Sequence, residues 1–297
     1  MDGSQEQAAT YEWKFSSKDT FTPKEALEDI IGILKTKDVL SVGESHNLEV
    51  DTSYNWLNEF SGEILDAYSY YRMGKNSSKP TPPFEQLLRP GSQLLARFRQ
   101  EKQPTLEVLT QFHPGRLFAV GILPLARALG YKDLILEGLN EHNPTDMIER
   151  SKDKAGDLLR LTSAMMLGMN IHGANPSGRY PTPTDIGDEL FSTIKAVEKK
   201  DPEAKIIVYN GAVHNMTESF KAGTRVHEGL FSASDASEWT YAPRAKEMWG
   251  DRYGAIDLLG GNSILPVSHF KHMQVEAAKG AVTRFSHGVG QKTYVFK

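Results

Sequence analysis

Two stretches constrain this chain more than anything else in it. Asp38-Val39-Leu40-Ser41-Val42-Gly43-Glu44-Ser45-His46 and Ala204-Lys205-Ile206-Ile207-Val208-Tyr209-Asn210-Gly211-Ala212-Val213-His214 each run an apolar strand into a glycine and then reach a histidine. Short apolar runs of this kind mark strands buried on both faces, the pattern of a parallel sheet. Lys132 to Glu137 (Lys-Asp-Leu-Ile-Leu-Glu) is a third buried strand and finishes on a carboxylate; Tyr253 to Leu259 reads as a fourth, ahead of Gly260-Gly261. Long helical passages separate the strands, which predicts an α/β fold with a mostly parallel central sheet flanked by helices. Open parallel sheets place ligands at the carboxyl ends of their strands. Glu44, His46, Glu137 and His214 are therefore expected at one edge, and Gly43 and Gly211 are read as points where the backbone turns sharply.

The intervening passages carry helix signals. Thr22-Pro23-Lys24-Glu25 combines an N-cap, a proline at the first helical position and a capping-box glutamate, so 23–35 is expected as an amphipathic helix. Helical patterns also cover 50–71, 84–100, 104–111 and 116–130, the last ended by Gly130. Asn143-Pro144-Thr145 starts another, 158–169 is rich in Leu and Met, and Thr184 is expected to cap a helix over 185–199. The segments 74–83 and 173–183, rich in Gly and Pro, read as loops that could act as lids. Residues 215–221 start like a helix, and Thr293 to Phe296 as a final short edge strand. Residues 1–20 are expected as a flexible arm, in which Tyr11, Trp13 and Phe15 alternate as an edge strand would. The rest, 21–297, carries no composition break and is read as a single domain.

Composition removes several chemistries. The 297 residues include no cysteine, which excludes disulfides, zinc–thiolate sites and cysteine nucleophiles. No Gly-x-Ser-x-Gly elbow and no phosphate-loop lysine occur. The net charge of −4, without a basic tract, argues against nucleic acid as a partner. No run of eighteen apolar residues and no signal-peptide core are found, so the expectation is a cytoplasmic protein, or one secreted without a cleavable signal, with no transmembrane segment. Two carboxylates with two imidazoles can bind a divalent metal that activates water. They can also work without one, a histidine acting as general base while a glutamate orients it. Both routes lead to hydrolysis of a small-molecule or peptide substrate. Arg116 and Arg127 are candidate donors to an acyl oxygen. His113, His142, His172, His227, His269, His272 and His287 are read first as residues outside the site, His113 in a turn and His172 with the Gly/Asn/Pro loop that could be a lid.

Gly43-Glu44-Ser45-His46 after a strand resembles the Gly-Glu-x-His signature of the erythromycin esterase, ChaN-like and Tiki/TraB superfamily, and Gly211-Ala212-Val213-His214 resembles its Gly-x-x-His signature. The strand-ending Glu137 falls where those proteins carry an intervening glutamate. The resemblance spans roughly residues 25–220 in motif order. It implies an erythromycin esterase/ChaN-like (Tiki-like) core with catalytic Glu44, His46, Glu137 and His214, the same four as ligands if a metal such as manganese, cobalt or zinc is bound. It also implies alternatives: haem or metal binding without turnover, and a bacterial toxin or effector module in which the fold serves docking. The chain departs from the antibiotic esterases after His214, where Asn-Met-Thr-Glu stands instead of a second nearby histidine.

Overall fold

The structure, a computed structural model, describes residues 16–44, 115, 117–139, 154–175, 183–216, 240–260, 273, 275–287 and 290–297. The expected helices over 50–71, 84–100 and 104–111, the helix start at 143–145, the loop 74–83 and the Tyr11/Trp13/Phe15 alternation lie outside the described residues, as do Arg116, His113, His142, His227, His269 and His272.

In chain order the described elements are β1 (Ser17–Phe21), α1 (Pro23–Thr36), β2 (Val39–Glu44), α2 (a π-helical turn Leu117–Ile122 continued by Leu123–Ala128) and β3 (Asp133–Glu137). There follow α3 (Lys154–Met166), β4 (Asn170–Ala174), α4 (Pro183–Lys200), β5 (Ile206–Gly211), the 3-10 turn Ala212–Asn215 and α5 (Ala242–Trp249). A second 3-10 turn, Gly250–Arg252, leads into β6 (Tyr253–Gly260), and β7 (Val282–Ser286) and β8 (Gln291–Phe296) close the chain. The strands form an eight-stranded sheet in the order β1-β7-β8-β6-β2-β5-β3-β4. Neighbours from β8 to β4 pair in parallel, while β7 runs antiparallel to both β8 and β1. The expected α/β class with a mostly parallel sheet is what the chain adopts.

Local chemistry accounts for the elements that frame the site. Thr22 and Glu25 form the predicted capping box, with Thr22 N–H donating to Glu25 Oε2 at 2.8 Å, and Ala26, Ile30 and Leu34 recur every four residues on the buried face of α1. Pro124 offers no N–H to the carbonyl four residues back, and the π-helical turn of α2 falls in that stretch. Gly130 ends this helix with φ +95°, a conformation that favours glycine. Tyr131 then ties α2 to α1 by donating to the carbonyl of Lys37 at 2.7 Å.

The apolar side chains divide into two layers. α1, α2 and α3 pack with Leu40, Val42, Leu134, Leu136, Ile207, Tyr209, Ile256 and Leu258 on one face of the sheet. α4 and α5 pack with Val39, Ile135, Ile206, Val208, Tyr253 and Ala255 on the other. Strand residues of opposite parity thus feed opposite layers, giving a three-layer α/β/α arrangement. From β2 the chain moves outward to β3 and β4, then reverses to insert β5 between β2 and β3 before placing β6 on the other side of β2. That reversal is what brings the ends of β2, β3 and β5, distant in sequence, side by side.

Several expectations need correction. Thr184 lies inside α4, which starts at Pro183, rather than capping it. The expected loop 173–183 begins inside β4, a strand that its Asn, His and Gly content concealed, so His172 is an edge-strand residue and not part of a lid. Residues 17–20, assigned to the flexible arm, belong to β1. The 293–296 strand is longer, Gln291–Phe296, and lies between β6 and β7 rather than at an edge.

Candidate active site at the ends of β2, β3 and β5

Parallel register fixes the relative height of the candidate groups. Glu44, the last residue of β2, lies opposite Gly211 of β5, and Leu136 of β3 lies opposite Tyr209, so Glu44, Glu137 and the Gly211–His214 turn reach the same edge. Three of the four expected site residues are therefore brought to one edge of the sheet. The fourth, His46, lies outside the described residues.

The edge carries two polar groups flanking β5. On the α1–α3 side, the Tyr209 hydroxyl donates to Glu44 Oε2, and Arg160 of α3 lies 3.6 Å from Glu44 Oε1. Arg160 Nη1 donates to the Tyr209 hydroxyl at 3.2 Å, and its guanidinium stacks 4.5 Å from the centre of the Tyr209 ring. Phe118 packs on the same ring at 4.3 Å. Glu44 and Arg160 are 8% and 6% exposed, so the ion pair is shielded from water and stronger than a surface pair. The second group is Glu137 with His214. The Gly211 N–H donates to Glu137 Oε2, and Glu137 Oε1 lies 3.5 Å from His214 Nε2. A backbone donor therefore holds the carboxylate that faces the imidazole.

Beneath this edge, on the α4–α5 side, lies a buried polar network. Asn215, next to His214, donates through Nδ2 to the carbonyl of Ile256 at 3.1 Å and to Asp257 Oδ1 at 3.0 Å. Its Oδ1 accepts from Asn210 Nδ2 at 3.1 Å and from Ser41 Oγ, which also meets the Tyr241 hydroxyl. Asp257 Oδ2 accepts from Gln291 Nε2 at 2.7 Å and Thr293 Oγ1 at 3.1 Å, and Thr293 meets His287 Nε2. Burial pushes the Asp257 carboxyl up to about 6 despite these donors. Burial likewise lowers His287 to about 4 and raises the Tyr241 hydroxyl above its usual range.

This network explains the motif glycine. Gly43 is an ordinary extended strand residue, and a Cβ there would stand 2.7 Å from Ala212 Cα and 2.8 Å from Asn215 Nδ2. Gly211 has φ −65° and ψ 138°, also unexceptional. Neither glycine turns the chain; Gly43 lets the 3-10 turn that carries His214 lie directly against β2.

Sequence reasoning missed Tyr209, Arg160, Ser41, Asn210, Asn215 and Asp257. A signal was present for most of them, since Ser41, Asn210 and Asp257 interrupt runs read as fully buried strands, and a buried polar residue is the informative exception. Arg160 similarly breaks the apolar pattern of 158–169. Arg127, a candidate acyl donor, instead donates to the carbonyl of Leu167, just ahead of β4 and thus toward the opposite edge of the sheet. His172 of β4 is committed to Asp133 of β3 at 2.9 Å, and His287 is buried against Thr293.

The described part of the expected metal set does not fit a cation at Glu44. Its carboxylate already faces a guanidinium and accepts from a phenol, which leaves a dication beside a buried positive charge. Among the described residues no group of three or more His, Asp or Glu side chains gathers as a metal site would require.

No family model and no curated protein matches the sequence. The solved structure of the type III effector HopBA1 aligns with a TM-score of 0.33 and 10% identity over 69% of this chain and 80% of that one. Among the described residues no helix is long and apolar enough to cross a membrane.

Proposed function

We propose that this chain is a hydrolase of the erythromycin esterase, ChaN-like and Tiki/TraB kind, cleaving an ester or amide bond by proton transfer rather than through a metal at Glu44. The observation that carries the proposal is the pairing of His214 Nε2 with Glu137 Oε1 at 3.5 Å, the carboxylate being held by the Gly211 N–H. An imidazole oriented by a fixed carboxylate is the arrangement of a general base, and such contacts tighten when substrate binds. In the reaction a water oxygen bonds to the acyl carbon while its proton passes to an imidazole. Collapse of the tetrahedral species then breaks the bond to the leaving oxygen or nitrogen, which takes that proton back. His46, two residues beyond Glu44 in the chain, is the second imidazole of this scheme. Glu44, Tyr209 and Arg160 form a charged, water-poor part of the same sheet edge, where interactions with developing charge are strengthened.

The test is hydrolysis of a panel of activated esters and short peptides by the wild type, His46→Ala and His214→Ala. A loss of about 100-fold or more in either variant is expected; activity unchanged in both would overturn the proposal. Elemental analysis and a visible spectrum of the same preparation check the metal-free part. Stoichiometric manganese, cobalt or zinc required for activity would overturn it, and a Soret band lost on replacing these histidines would support haem binding instead.

A further inference from the structure

We infer that Asn215 is a positioning residue for His214, clamped by Ser41 and Asp257 so that the turn bearing the imidazole has one seat on the sheet. The inference rests on the proposed role of His214, and its test is read without any activity.

Asn215 is fully buried and immediately follows His214 in the four-residue turn Ala212–Asn215. A turn this short has little rigidity of its own, since a single turn of 3-10 helix contributes few internal hydrogen bonds. Its placement must come from contacts with the sheet. The Asn215 amide provides them with its full capacity, two acceptor positions and two donors. The acceptors are filled by Ser41 Oγ of β2 and Asn210 Nδ2 of β5; the donors go to the Ile256 carbonyl and Asp257 Oδ1 of β6. One side chain thus reads the positions of three strands. Asp257 is anchored in turn by Gln291 and Thr293 of β8. The contact that needs Gly43 is the same seat, because a methyl there would displace Ala212 and Asn215 together. A carboxylate cannot stand at 215, since both amide hydrogens are committed, to the Ile256 carbonyl and to Asp257 Oδ1.

The experiment follows the His214 ring nitrogens by NMR in the full chain, assigned by their loss in His214→Gln. Asn215→Ala should shift or broaden the His214 signals, and Asn215→Asp, which loses both donors and sets a carboxylate against Asp257 and the Ile256 carbonyl, should do the same. Ile194→Ala, which empties core under α4 and removes no group of this network, is the control; it should lower the melting temperature and leave His214 unmoved. If Asn215→Ala does not fold, Ser41→Ala removes one partner of the same amide and carries the same expectation. Unchanged His214 signals in the Asn215 or Ser41 variants, or an equal change in Ile194→Ala, would overturn the inference.

Discussion

Gly43 shows how much a single missing methyl decides. In Gly43→Ala the Cβ would meet Ala212 Cα at 2.7 Å and Asn215 Nδ2 at 2.8 Å. Backbone cannot yield as a flexible side-chain end can, so the substitution is expected to cost about 3 kcal/mol, the upper end for overpacking, measured by urea unfolding. A cost under about 0.5 kcal/mol would mean the turn has room to move. Arg160 decides the other side of the edge. Arg160→Met keeps the apolar stem but strands the Glu44 carboxylate in a buried setting, and the expected loss is about 3 kcal/mol. Glu44→Gln in the Arg160→Met background should recover part of that loss, since it removes the uncompensated charge. At this scale the sequence was legible for residue type and less so for reason. The glycine before Glu44 stands out in the sequence, but as a turn. The close approach that requires it depends on β5 being inserted beside β2, which no local pattern encodes.

The elements most legible in the sequence were those with strong local rules. The capping box of α1, the Gly130 stop of α2 and the apolar runs of β2, β3, β5 and β6 appear where expected. Thr22→Ala is expected to cost about 1 kcal/mol through loss of the cap, lowering the melting temperature by about 2–4 °C in calorimetry. An unchanged transition would show that the packing of Ala26, Ile30 and Leu34 alone holds the helix start. β4 and β8 were missed or shortened for a different reason. Asn170-Ile171-His172-Gly173-Ala174 contains the residues of a loop, and its strand conformation comes from pairing with β3, where Asn170 and His172 both bond Asp133. Gln291 and Thr293 look like surface residues, yet they are buried because Asp257 needs their donors. Tertiary partners override local preference in both strands.

For the whole molecule, the buried network has a consequence for stability against pH. His287 is held at about 4, below its ordinary value of 6.5, so its contribution is present above pH 6.5 and is lost as pH falls toward 4. Asp257 is raised from 3.8 to about 6, so its contribution is present below pH 3.8 and is lost as pH rises toward 6. Each displacement corresponds to about 3 kcal/mol, and the two act in opposite directions over one window. His287→Gln keeps a partner for Thr293 and removes the titrating base. Its stability relative to wild type should therefore rise as pH falls from 6.5 to 4, by up to about 3 kcal/mol in urea unfolding. A difference that stays constant with pH would contradict the burial of a neutral imidazole there.

The fold organises one edge of the sheet, where β5 joins Glu44 and Tyr209 on one side to Glu137 and His214 on the other. The central claim is that Glu137 orients His214 for proton transfer, and Glu137→Gln tests it most directly. Glutamine can still accept from the Gly211 N–H, but it can present an amide donor where the imidazole requires a carboxylate. The measurement is kcat/KM for ester or peptide hydrolysis by wild type and Glu137→Gln, with matched melting temperatures. A fall of about 100-fold or more, carried by kcat, is the predicted result; equal values in the two proteins would contradict the account.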